Sequence, residues 1–126
     1  MKEIENRKDI EFLVDTFYKS VVVDDVIGSF FNEVVKLDWA KHIPVMYDFW
    51  ETTLLGQGNY KGNPMQTHIQ LSEKKAMTSK HFDRWLNLWE KTIEQHFEGN
   101  KALEAVSRAK QISAVMKFKI QQHTNT

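Results

Sequence analysis

Apolar residues recur every three or four positions in four long stretches of the chain, and three of the four stripes carry large rings. Ile10, Leu13, Phe17 and Val21 form the first stripe, between Asp9 and Val23, with Tyr18 beside it. Trp39, Ile43, Met46, Trp50 and Leu54 form a second, with His42, Met46 and Phe49 on an overlapping face. Phe82, Trp85 or Leu86, Trp89, Ile93 and Phe97 form a third. Leu103, Val106, Ala109, Ile112 or Ser113, Met116 and Ile120 form a fourth. This period places each set on one face of an α-helix, and no strand-type alternation of useful length competes with it. Five glycines and two prolines interrupt little, and an aromatic content of 12% with four tryptophans suits helices packed around bulky rings. The expected fold class is all-α, with 126 residues forming a single domain over 1–126.

Helix ends follow from local chemistry. A proline costs about 3 kcal/mol inside a helix but is tolerated at its first position, so Pro44 predicts a second helix starting near Ile43 or Pro44, with His42 at its mouth. Gly56 and Gly58 end it, and the glycine-rich stretch GQGNYKGNPMQTHIQL leads through Pro64 to a short helix bearing His68. Thr78 or Ser79 can cap the third helix, and Gly99 closes it. A short segment, VIGSFFNEVVKL, reads as a corner between the first two helices, and the polar end QQHTNT is expected to fray.

Composition removes whole classes of function. Seventeen basic residues balance seventeen acidic ones, so no large field draws the chain to nucleic acid or anionic lipid. Without cysteine there are no disulfides, iron–sulfur clusters, thiolate-ligated haem or cysteine nucleophiles. The amino terminus MKEIENRKDIEF carries charges of both signs instead of an apolar export segment, and no long apolar run exists. No membrane contact is expected, and the expected compartment is the cytoplasm.

Metal chemistry would have to rest on His42, His68, His81, His96 and His123. Neither His-Glu-x-x-His nor Glu-x-x-His occurs, which removes zincin and di-iron bundle sites, and phosphate-binding and nucleophile-elbow motifs are also missing. His68 follows a loop, while Tyr18, His42 and Trp85 lie at or beside the apolar faces of three helices. On spacing alone such a histidine is more often a surface or capping residue than a ligand. Tyr18 and Trp85 likewise read as core residues with satisfied polar tips, Met46 as filler, and Phe30, Phe31, Phe49 and Trp50 as packing. A haem would give these groups a joint purpose: an apolar slot, one imidazole on iron, and donors facing a gas.

The stretch HIPVMYDFWETTLLGQGNYKGNPMQTHIQL, from His42 to Leu71, closely resembles the core of group III truncated haemoglobins. His42 and Pro44, the pair Phe49-Trp50, then Tyr60, Gly62 and Pro64, and finally His68 four residues on, match that family's pattern. FFN at 30–32 resembles its haem-stacking corner, Phe17-Tyr18 its distal tyrosine helix, and RWLNLW its distal tryptophan helix. The resemblance implies a truncated-globin fold, a two-over-two helical sandwich in which the first two long helices face the last two. It implies haem b (iron protoporphyrin IX) with His68 as proximal metal ligand, and Tyr18, Trp85 and His42 on the distal side. Phe31, Met46, Phe49, Leu71 and Trp85 would line the cofactor, and Lys75, His81 and Arg84 are candidates for its propionates.

The function so implied is binding of oxygen, nitric oxide or carbon monoxide at five-coordinate iron. An alternative is redox catalysis, converting nitric oxide to nitrate or reducing peroxide with a separate reductase, since the chain has no flavin or nicotinamide domain. No acid lies within four residues of His68, which disfavours peroxidase-like activation. A haem-free helical interaction module using aromatic grooves is the third reading.

Overall fold

The computed structural model describes residues 1–28, 39–56 and 78–124, with side chains described for 1–28, 43–56 and 78–118. Four helices lie among the described residues: α1 (Arg7–Val22), α2 (Trp39–Leu55), α3 (Ser79–His96) and α4 (Asn100–Thr124). α1 packs on α2, α3 packs on α4, and the two pairs meet chiefly through α1 against α3, with a smaller contact between α2 and α4. This is the expected all-α, two-over-two arrangement.

The first helix begins where side chains replace missing backbone partners. Asn6 caps it by accepting the Asp9 N–H at 3.1 Å, and the Asp9 carboxylate reaches back to the Glu5 N–H at 2.9 Å. These reciprocal bonds satisfy donors that the first turn leaves free. Asp9 also holds Lys2 at 3.0 Å, which anchors an amino-terminal strap. The strap buries Ile4 and lets the Lys2 carbonyl accept the Glu98 N–H at 2.9 Å. There it covers the three-residue turn between α3 and α4, where Gly99 takes a φ of +91° that a side chain would resist.

α2 starts earlier than expected. It runs from Trp39, so Pro44 sits inside it and the Ala40 carbonyl loses its usual intrahelical donor. Continuing the helix keeps Ile43, Met46, Trp50 and Leu54 against the core, and Trp50 and Leu54 are 4% and 1% exposed. Burying side chains of this size gives about 1.5–3 kcal/mol each, enough to outweigh one lost bond. At α3 Thr78 is the N-cap, and its N–H donates to His81 Nδ1 at 3.0 Å. His81, named above as a candidate for a propionate, therefore takes part in capping α3.

α4 keeps the expected inward residues Ala109, Ser113 and Met116, with Val106 and Ile112 partly buried against the core, but differs in its first turns. Leu103 is 70% exposed, and the inward row is Ala102, Ala105, Ala109, Ser113 and Met116. Small residues there let α4 approach α3 closely, and the Ala105 carbonyl accepts the Trp89 indole N–H at 3.2 Å. The helix also continues through Thr124, so the polar end that was expected to fray is largely helical.

Asp9 yields a pH-dependent prediction. Burial raises the pKa of its carboxyl, but the Glu5 N–H and the Lys2 ammonium together outweigh burial and hold the pKa below the ordinary value. A depressed folded-state pKa contributes stability above the unfolded value near 3.9, and that stability is lost as pH falls through the folded value. Asp9→Ala is expected to lower unfolding free energy by about 1–3 kcal/mol at pH 7. The gap between variant and wild type should narrow below pH ~4 in urea titrations.

Candidate functional site

Phe17 is the residue around which the described site is built. It lies 1% exposed on α1 and meets three rings edge-on: Tyr18 at 4.9 Å, Trp89 at 5.0 Å and Trp85 at 6.0 Å between centroids. Edge-to-face contacts of this kind are favourable because the positive ring edge meets a negative face. Tyr18 and Trp85, 67 positions apart in sequence, are thereby gathered around one ring. Both are half-buried and pack on one side against the core.

α2 contributes the next wall. Met46 and Phe49 are half-buried against the same core, and the Phe49 ring meets Trp50 at 5.0 Å. Trp50 in turn stacks on Trp89 at 4.5 Å, with an interplanar angle of 22°. Four of the sequence-predicted residues, Tyr18, Met46, Phe49 and Trp85, thus surround one aromatic cluster. His42 lies in α2 one turn before Met46, but its side chain is outside the described residues. Phe31, His68 and Leu71 lie outside them entirely, as does Lys75.

The described donors at this cluster are neutral. Burial pushes the Tyr18 phenol well above its ordinary pKa, so at physiological pH it remains an O–H that can donate. The Trp85 indole N–H is a donor only. Among the described residues no group of three His, Asp or Glu side chains could hold a metal ion. No described helix is long and apolar enough to cross a membrane.

Charged residues brace the periphery. Arg7 Nη1 contacts Asp48 at 2.7 Å and Glu51 at 2.9 Å, tying α1 to α2. The Tyr47 hydroxyl donates to Asp15 across the same pair of helices. Burial first, then that bond, pushes the Tyr47 phenol up to about 12. Arg84, a sequence candidate for a propionate, directs Nε and Nη2 at 2.7 and 2.6 Å to Asp24. These partners are 41 and more positions apart in sequence for Arg7 and 60 apart for Arg84, so helical spacing gives no sign of them. A groove of about 550 Å³ lies at the far ends of α3 and α4, lined by Ile93, Phe97 and Leu103 with Glu90, Glu94 and Glu98. None of the sequence-predicted site residues lines it.

Comparison with known proteins shows what the chain as a whole is similar to. The family described as bacterial-like globin matches residues 2–121. The group 3 truncated haemoglobin of Campylobacter jejuni is 28% identical over 112 residues, covering 86% of each chain. The crystal structure of a group III truncated haemoglobin from Campylobacter jejuni superposes with a TM-score of 0.80 at 27% identity, covering 95% of both chains.

The ring cluster sets a stability test. Trp89 is 1% exposed, whereas Trp85 is half-buried. Trp89→Ala is expected to cost about 3–5 kcal/mol, with Trp85→Ala costing clearly less, in equilibrium urea unfolding.

Proposed function

This chain belongs to the bacterial-like globin family, and on that premise we propose that it holds one haem b through His68 and binds a diatomic gas beside Tyr18 and Trp85. The observation that carries the proposal is the gathering of those two donors around Phe17. A haem supplies an iron that takes an imidazole on one face and leaves the other open to a gas. Without cysteine the macrocycle has no thioether links, so its retention depends on His68 and on apolar packing.

The described residues fit such a group by the chemistry of their donors. Oxygen and nitric oxide gain negative charge on the ligand, which neutral O–H and N–H donors stabilise without adding a second charge to a low-dielectric pocket. Tyr18 supplies the O–H and Trp85 the N–H. Met46 and Phe49, with Phe31 and Leu71 as further lining, exclude water, and His42 gates the distal side. No acid lies within four residues of His68 in sequence.

Two donors on one small ligand favour slow release. That property suits chemistry on the bound gas, such as conversion of nitric oxide to nitrate with electrons from a separate reductase, better than delivery. Peroxide reduction ranks lower because nothing near His68 in sequence strengthens the imidazole as a donor to iron.

Ultraviolet-visible spectra of the purified chain, ferric, reduced and carbon-monoxide-bound, test the cofactor. Wild type is expected to show a Soret band that is weakened or altered in His68→Ala, and identical spectra would move the ligand to another residue. Stopped-flow oxygen release tests the donors: Tyr18→Phe should speed it about tenfold or more, because a hydrogen bond to a charged acceptor is lost. An unchanged rate would remove Tyr18 from the ligand.

A further inference from the structure

The first helix ends at Val22, and the chain then turns through residues 24–28. Asp24 builds that turn. Its side chain is only 3% exposed, and one carboxylate oxygen accepts the Val26 N–H at 2.9 Å and the Ile27 N–H at 3.1 Å. Its carbonyl accepts the Gly28 N–H at 3.0 Å, which brings Gly28 against the carbonyl of Val22, where a Cβ would lie 2.9 Å away. The other carboxylate oxygen faces α3 and accepts both Nε and Nη2 of Arg84. One buried carboxylate therefore joins the segment that follows α1, the turn at residues 24–28 and α3.

Arg84 precedes Trp85, and Asp24 lies six residues after Tyr18. The two helices touch where Phe17 meets Trp85 and Trp89, and α3 meets the segment just past α1 at this ion pair. Ring contacts limit sliding and rotation less sharply than a directed hydrogen bond does. An arginine fork with two donors on one carboxylate oxygen restricts both, in a way that a single lysine bond does not. Burial raises the Asp24 pKa, but the Arg84 and backbone bonds outweigh it and hold the carboxyl below the ordinary range, so the pair is charged at neutral pH.

We propose that Asp24 and Arg84 are positioning residues for gas binding: their bond fixes the tryptophan helix against the end of the tyrosine helix, sets the spacing of the Tyr18 and Trp85 donors, and so controls ligand release. This rests on the donor reading of the preceding subsection. It assigns Arg84 to protein geometry rather than to a cofactor carboxylate.

The test uses the full chain loaded with haem, comparing wild type, Asp24→Asn, Arg84→Lys and Tyr18→Phe. Asparagine can still accept the Val26 and Ile27 N–H groups, so Asp24→Asn keeps the turn and removes the charge that holds Arg84. Arg84 is 37% exposed, so Arg84→Lys leaves the core intact while replacing the fork by a single donor. Three quantities are read: the carbon monoxide stretching frequency, the oxygen dissociation rate and the melting temperature. Asp24→Asn and Arg84→Lys should each shift or broaden the stretch and speed oxygen release about two- to tenfold, less than Tyr18→Phe does. The double variant should add little to either single change, because both remove one bond. A lowered melting temperature with wild-type stretch and release, while Tyr18→Phe changes both, would reduce the pair to a brace and overturn the proposal. Wild-type stretch and release in Tyr18→Phe itself would overturn the donor reading and this proposal with it.

Discussion

Trp89 is the constraint on which the rest of the described structure depends, because it touches every helix at once. It projects from α3, stacks on Trp50 of α2, meets Phe17 of α1 edge-on, and gives its indole N–H to the Ala105 carbonyl of α4. A buried indole must place that N–H on an acceptor or lose much of the benefit of burial. The polar requirement therefore fixes how the ring is turned, and the ring fixes the separations of its neighbours. Four helices sharing one side chain have little freedom to slide independently.

The small residues of α4 follow from this. A tryptophan facing an adjacent helix needs room, and Ala102, Ala105 and Ala109 provide it. Large aliphatics at those positions would push α4 away and break the bond to Ala105. The displaced bulk is found on the outside, where Leu103 is exposed. Close packing of this kind also separates two kinds of aromatic residue. Phe17, Trp50 and Trp89 are buried and structural, whereas Tyr18, Phe49 and Trp85 keep one side on the core and remain only partly buried. The proposed gas-binding groups thus stand on a rigid base, which a short hydrogen bond to a small ligand requires.

Polar fasteners act where the aromatic core ends. Asp9 secures the start of α1 and the strap over the α3–α4 turn, Arg7 joins α1 to α2, and Asp24 joins the end of α1 to α3. Exposed pairs contribute little because water competes for each partner. The buried Asp24 carboxylate differs, since every bond it makes replaces water it has lost. Charge in this molecule aligns elements that hydrophobic burial alone would leave free to rotate.

The sequence by itself determined the helices, their order and the residues that mark the site. Period-3.6 stripes are local, and so were the cap at Thr78 and the pattern from His42 to Leu71 that resembles the group III truncated haemoglobins. Tertiary structure decided what depends on partners far along the chain. It carried α2 back to Trp39 through Pro44, because burial of the stripe outweighed one missing bond. It put Ala102 and Ala105 inward at the start of α4, where Trp89 had to fit, and left Leu103 outside, although the stripe had placed Leu103 inward. It gave Arg84 to Asp24 and His81 to the α3 cap, since a long cation or an imidazole takes whichever acceptor or donor the fold brings near. Of the site, Tyr18, Met46, Phe49 and Trp85 were legible as residues on or beside apolar stripes, but the meeting of Tyr18 and Trp85 around Phe17 was not. Periodicity specifies which face a side chain occupies, and only packing specifies which other face it meets.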